Sequence, residues 1–188
     1  SRRCRAEVLN TFIIFNGCAC HATGGKVTNY SRLFLDLETR SKCDLKTAGA
    51  RRYAADASTQ ITTAVWFYKG QQRTACTVHP FLGSHSLADL YDDIRECTEI
   101  VAHHANFDVN ILKSQNPFLT IPLHKIICTM ARAQSLAFPG GLDQVCTALG
   151  LPGKSKEGHA LVMATCRPQR NGVFNEDVEK YRKLLAYN

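Results

Sequence analysis

The feature that most constrains the fold is an apolar run that ends in two carboxylates, at residues 32–39 (RLFLDLET). The run has strand character, and side chains at positions i and i+2 of a strand point to the same side. We therefore expect Asp36 and Glu38 to project together from the end of a strand that residues 33–35 anchor in the core. Two like charges held that close repel each other unless a cation such as Mg²⁺ or Mn²⁺ lies between them. The pattern predicts half of a metal site, and its alternative is an ordinary strand that runs into an acidic turn.

Composition favours a single soluble domain with a polyanionic partner. The 188 residues include 23 Lys and Arg against 16 Asp and Glu, which gives a net charge of +7. Such a balance is typical of nucleic-acid binding. The nine cysteines are odd in number and show no C-x-x-C spacing, which indicates mostly buried free thiols in a reducing cytosol. No apolar run is long enough to cross a bilayer, so no membrane association is expected.

Residues 1–31 differ from the rest and are interpreted as a basic N-terminal extension. Four side chains there could in principle bind Zn²⁺, namely Cys4, Cys18, Cys20 and His21. A structural zinc site normally has paired ligands, whereas C-x-C-H stands alone here. An ordinary extension, a zinc site and the remnant of an organellar transit peptide stay open as alternatives.

From residue 32 onward, the pattern predicts strands followed by helices. Strands are expected at residues 61–68, 73–78 and 99–102, the first two forming a hairpin. Ser86 is expected to cap a helix. Further helices are expected at 109–115, 125–137, 142–149 and 176–188, with a short one through Met163. The order predicts an α/β layered domain.

Asp108 is the best candidate for a third metal ligand. It follows the buried strand at residues 99–102 and lies at the start of a helix. The alternative is an ordinary acid in the first turn of a helix, where the helix dipole stabilises it. Two acidic groups, each at the end of a strand, make the metal hypothesis stronger than either group alone.

These residues also carry a family resemblance. Residues 35–39 (LDLET) resemble the first motif, D-x-E-T, of the DEDD (DnaQ-like) 3′–5′ exonuclease superfamily, and residues 101–108 (VAHHANFD) resemble its second motif. Three further stretches are similar to the proofreading exonuclease domains of phage-type family-A DNA polymerases: 36–54, 128–133 and 142–151. The likeness covers about residues 32–188.

The resemblance implies an RNase H-like fold, in which a mixed sheet flanked by helices holds two Mg²⁺ or Mn²⁺ ions. Asp36 would bridge the two ions, Glu38 would help to bind the ion that activates water, and Asp108 would serve the other through water. Two ions of this kind activate the attacking water and stabilise charge on the scissile phosphate.

The same resemblance assigns substrate contacts. Leu37 and Thr39 would contact the terminal nucleotide through backbone and hydroxyl, and Phe107 would help to shape its pocket. His104 stands where the family usually has Asn, and its side chain could still hydrogen-bond the substrate, with a charge that varies near neutral pH.

The third family motif, Y-x-x-x-D, is incomplete. Four residues after Tyr181 lies Leu185, which cannot bind an ion, whereas four residues after Tyr187 falls past residue 188. Tyr187 is the better match and is predicted to orient the attacking water. We therefore expect an exonuclease domain at 32–188 that stops before its last motif aspartate.

The predicted function is metal-dependent 3′–5′ removal of nucleotides from single-stranded DNA 3′ ends, as the proofreading domain of a family-A polymerase. The implied partners are those 3′ ends and a polymerase domain or subunit, in the cytoplasm of a bacterial or phage-infected cell, with organellar targeting left open. The alternatives are a catalytically inactive module that binds single-stranded DNA or a polymerase partner, and a stand-alone RNA-degrading DEDD nuclease. DNA or RNA preference, oligomeric state and the role of residues 1–31 are not decided by the sequence.

Overall fold

The computed structural model of the chain describes residues 31–151, 153 and 156–187. The predictions made for residues 1–30, including the zinc ligands Cys4, Cys18, Cys20 and His21, lie outside the described residues.

A five-stranded mixed sheet forms the centre of the fold, with the spatial order β3-β2-β1-β4-β5. Strand β1 pairs antiparallel with β2 and parallel with β4, while β2 pairs antiparallel with β3 and β4 parallel with β5. The strands are β1 Arg32–Arg40, β2 Gln60–Tyr68, β3 Gln71–Cys76, β4 Glu99–Ala102 and β5 Ile126–Cys128.

Helices cover both faces of the sheet. On one face, side chains of the first three helices pack with those of β1 and β2 into the largest core cluster. On the other face, the last two helices pack against Val65 and Cys76. The α-helices of the described residues are α1 Leu45–Ala55, α2 Leu87–Glu96, α3 Ala105–Gln115, α4 Thr129–Ser135, α5 Leu142–Ala148, α6 Lys156–Cys166 and α7 Val178–Tyr187. The α/β class predicted from the sequence is confirmed.

Strand β1 alternates strictly between buried and half-buried side chains. Leu33, Leu35 and Leu37 point into the large core cluster, whereas Asp36 and Glu38 lie on the opposite face and are half-buried. This is the period-two arrangement expected of a strand. The prediction that Phe34 joins the core with its two neighbours is wrong, because the same alternation places it on the face of Asp36.

Two other local predictions have opposite outcomes. Ser86 caps α2 through a reciprocal capping box, in which its hydroxyl accepts from the Asp89 backbone and the Asp89 carboxylate accepts from the Ser86 backbone. The continuous helix expected at residues 125–137 is wrong, because residues 126–128 form β5 and only the remainder is helical. Their pairing with β4 satisfies the backbone of this short apolar run.

Among the helices that the structure describes, none combines the length and the apolar character that a membrane crossing requires.

Candidate active site

The first two candidate carboxylates lie at the carboxyl end of β1, beyond the end of its parallel neighbour. The parallel register matches Phe34 with Val101, and β4 ends one residue later at Ala102. Asp36 and Glu38 follow on β1 and share one face of the strand. The chain leaves β4 at this edge of the sheet and leads directly into α3.

Asp108 lies in the first turn of α3, and its side chain is only 5% exposed. Burial raises the pKa of Asp108 well above its usual range, and the negative charges of Asp36 and Glu38 raise it further. The three predicted carboxylates are therefore close enough to act on one another electrostatically. They lie near one another at the end of the two central parallel strands.

The sharp entry into α3 brings Asp108 to this position. His104 caps the helix in the left-handed conformation, with φ 65° and ψ 40°, and its side chain makes no capping hydrogen bond. The backbone N–H of Phe107 donates to the carbonyl of His104 over 2.8 Å, which closes the turn. A histidine in this region is uncommon and stores strain. The conformation lets the helix start only three residues after β4 ends.

An aromatic surface borders the carboxylates. The exposed ring of His104 stacks on the ring of Phe107, with centroids 6.2 Å apart and planes only 10° from parallel. Phe107 also contacts Tyr53 of α1 at 5.8 Å between centroids. We call the rings of His104 and Phe107 the aromatic rim, which the buried ring of Tyr53 supports from the core. Stacked faces of this kind can hold a nucleobase.

The two remaining predicted substrate residues lie on the core side of β1. The side chain of Leu37 is buried in the large cluster, so only its backbone could reach a ligand. The hydroxyl of Thr39 is also buried and lies 3.0 Å from the phenol oxygen of Tyr53. Thr39 therefore contributes to the site by fixing Tyr53. Tyr53 lies in the stretch 36–54, which carries part of the family resemblance, but the sequence analysis assigned it no role.

A second group that the sequence analysis did not identify lies opposite Glu38 on the neighbouring strand β2. The antiparallel register places Thr63 of β2 directly opposite Glu38, and Thr63 is fully buried. Its hydroxyl has no hydrogen-bond partner within the described part of the chain. Next to it, a bulge in the β1–β2 register leaves Thr62 with its hydroxyl donating to the Glu38 carbonyl over 3.0 Å. Thr62 therefore binds the backbone of Glu38, and Thr63 lies opposite it on β2.

Cys166, at the end of α6, lies on the face of the sheet that also carries Asp36 and Glu38. Its thiol lies 3.8 Å from the hydroxyl of Thr62. Burial raises the pKa of Cys166 to about 11, and the charge of Glu38 adds to the effect. The thiol is therefore neutral and structural near neutral pH.

The two candidate tyrosines of α7 have different environments. Tyr181 is fully buried, its phenol donates to the Thr165 carbonyl over 3.4 Å, and burial raises its pKa to about 12. Tyr187 is half-buried and packs so closely on Gly158 of α6 that a Cβ atom there would lie 1.9 Å from its ring. Its role in orienting the attacking water stays a prediction.

The donor chemistry of the site fits a divalent cation. Mg²⁺ and Mn²⁺ prefer oxygen ligands, and a buried carboxylate beside two others is stabilised when a cation joins them. Within the described residues, no group of three or more His, Cys, Asp or Glu side chains is already gathered as a set of metal ligands. The three carboxylates are neighbours across the end of the sheet and are not a closed coordination shell.

Comparison of the chain with models of known protein families gives no match, and no curated protein matches it.

Proposed function

We propose that the protein is a metal-dependent 3′–5′ exonuclease of RNase H-like fold that removes nucleotides from single-stranded DNA ends. The observation that carries the proposal is the convergence of Asp36, Glu38 and Asp108 at the carboxyl end of two parallel central strands. A mixed sheet flanked by helices is compatible with this fold. The proposal includes the role of a proofreading domain beside a polymerase domain or subunit.

The residues would share the chemistry as follows. Asp36, Glu38 and Asp108 would hold two Mg²⁺ or Mn²⁺ ions, which lower the pKa of the attacking water and stabilise charge on the scissile phosphate. The aromatic rim would stack the terminal base and so place its phosphodiester beside the carboxylates. Burial of Asp108 keeps bulk water away from one side of the site.

Thr63 supports the same assignment. A fully buried hydroxyl without a partner among the described residues costs free energy, because its hydrogen bonds to water are lost on folding. It faces Glu38 across the sheet, within the distance of a cross-strand pair. The buried hydroxyl is therefore next to a candidate ligand residue.

The test is digestion of a 5′-labelled single-stranded DNA in the presence of Mn²⁺. The wild-type chain is expected to produce a ladder of products shortened from the 3′ end, and Asp36→Ala to produce none. Asp92→Ala is the matched control, because Asp92 is an exposed acid of α2 and should leave the ladder unchanged.

Two results would contradict the proposal. A wild-type chain that gives no ladder with Mn²⁺ or Mg²⁺ would exclude the activity and favour a binding module. An equal ladder from wild type and Asp36→Ala would exclude the assigned site. Repeating the digestion with an RNA of the same sequence separates a DNA exonuclease from an RNA-degrading enzyme.

A further inference from the structure

A strip of four exposed cationic side chains follows β1 along the chain and lies on and just before α1. It consists of Lys42, Lys46, Arg51 and Arg52, all of which are exposed to solvent. Within the part of the chain that the structure describes, none of the four forms an ion pair with a carboxylate. We call these four residues the basic strip.

The two acids of the same stretch, Asp44 and Asp56, reduce the net charge around the basic strip, but among the described residues neither forms an ion pair with its side chains. The Asp44 carboxylate accepts from the Lys46 backbone N–H over 2.8 Å as the cap of α1. Asp56 accepts from the backbone and the hydroxyl of Ser58. By contrast, several other cations of the fold are paired, among them Lys69 with Glu96 and Arg95 with Asp92. The positive charge of the basic strip is therefore available to a ligand.

The basic strip is connected to the candidate active site through Tyr53. Tyr53 follows Arg52 directly, hydrogen-bonds Thr39 and contacts Phe107 of the aromatic rim. Gly49 interrupts α1 with φ +75°, a conformation that a side chain rarely adopts, so α1 changes direction between Lys46 and Arg51. The four charges therefore lie on both sides of this bend, and the last of them, Arg52, is next to Tyr53 along the chain.

We propose that the basic strip binds the phosphate backbone of the single strand that leads away from the terminal nucleotide. Unpaired cations combined with stacking rings bind single-stranded nucleic acid without sequence preference. The direction of the strand rests on the proposed exonuclease function, because that function places the 3′ end at the carboxylates. Binding of phosphates by the basic strip does not require the metal.

The test measures binding of a fluorescent oligothymidylate by anisotropy in EDTA, as a function of salt. For single strands, each phosphate contact contributes about 0.7 to the slope of log affinity against log salt concentration. Arg51→Gln/Arg52→Gln is therefore expected to lower the slope by about 1.4 and the affinity roughly tenfold or more at 0.1 M salt. Both side chains are exposed, and thermal unfolding of the variant is expected to match that of wild type.

The control is Lys69→Gln/Arg95→Gln, which removes the same net charge. Lys69 lies in the β2–β3 turn at the opposite end of β1 from Glu38, and Arg95 is in α2 near the same end. The control is expected to bind like wild type. Equal weakening of both variants would overturn the proposal, because net charge alone would then explain binding.

Two further outcomes separate this proposal from the proposed function. Unchanged binding by Arg51→Gln/Arg52→Gln would overturn the basic strip while leaving the digestion test untouched. Asp36→Ala is expected to lose the ladder and keep its binding in EDTA.

The identity of the partner is tested with poly-glutamate. If the wild-type chain binds poly-glutamate but not the oligonucleotide, its partner is an acidic polypeptide, and the proposal is overturned.

Discussion

The phenol oxygen of Tyr53 lies 3.0 Å from the hydroxyl of Thr39, and both groups are buried. The hydrogen bond joins α1 to β1 at Thr39, the residue that follows the candidate ligand Glu38. Since the ring of Tyr53 also contacts Phe107, this bond sets the position of the aromatic rim relative to the sheet.

Removing both partners of this hydrogen bond is expected to cost less than the sum of the two single removals. Tyr53→Phe and Thr39→Val should each lower the free energy of unfolding by about 1–2 kcal/mol, because each leaves a buried hydroxyl unsatisfied. The double variant should lose less than the sum of the two. Urea unfolding of the four proteins measures the coupling, and strict additivity would show that the two groups do not interact.

Asp93 and its neighbour Asp92 are expected to differ strongly in their effect on stability. Asp93 is buried and accepts from the Trp66 indole over 2.7 Å and from Arg73 over 2.6 Å. Asp93→Ala should lower the free energy of unfolding by about 3 kcal/mol, because it leaves the charge of Arg73 partly buried without its partner. Asp92→Ala should change it by less than about 0.5 kcal/mol, as expected of an exposed pair.

Trp66 provides an independent readout of the same change. It is the single tryptophan of the chain, so its fluorescence reports directly on the indole environment. We expect the emission of Asp93→Ala to shift, because the indole N–H loses its acceptor, and that of Asp92→Ala to stay at the wild-type position. A shift of equal size in both variants would contradict the hydrogen-bond assignment.

The contact between α6 and α7 can be tested at Gly158. A Cβ atom at this position would overlap the ring of Tyr187, so Gly158→Ala is expected to destabilise the protein by about 1–2 kcal/mol. In a Tyr187→Ala background the overlap is gone, and the same substitution should stabilise α6 by up to about 1 kcal/mol. Thermal unfolding measures the effect of Gly158→Ala in the two backgrounds. Opposite signs would support the contact between the Tyr187 ring and α6, and destabilisation in both backgrounds would contradict it.

We expect the free energy of unfolding to fall at alkaline pH because of the buried thiol of Cys97. Burial raises the pKa of Cys97 from 9.0 to about 11, and its thiol donates to the Ile94 carbonyl. Because the folded state holds the proton more tightly, the stabilisation is fully present below pH 9 and is lost as the pH rises to about 11. The difference amounts to roughly 2–3 kcal/mol. Cys97→Ala should flatten the stability profile between pH 9 and 11, and an unchanged profile would exclude Cys97 as the cause.

Sequence pattern was sufficient where a local rule decides the structure. The alternation of residues 32–40 places Asp36 and Glu38 on one face, and the strand that precedes Asp108 delivers it to the same edge of the sheet. The capping box at Ser86 follows from residues only three apart. These elements need no knowledge of distant contacts.

Pattern was insufficient where a distant partner decides the structure. Residues 126–128 are a strand because β4 lies beside them, whereas their own neighbours favour a helix. Tyr53 was overlooked because its partner Thr39 is fourteen residues away. Cys166 and Thr62 are separated by 104 residues, and no spacing rule connects them.

The parallel pairing of β1 with β4 joins segments that are far apart along the chain; the ion pair of Arg32 with Glu99, for example, spans 67 residues. In the unfolded chain, Asp36 and Asp108 are therefore distant and do not repel each other. Their repulsion arises in the same event that closes this long loop, which is a slow type of step in folding. A cation that binds only the folded protein would therefore stabilise the fold in addition to any role in the reaction.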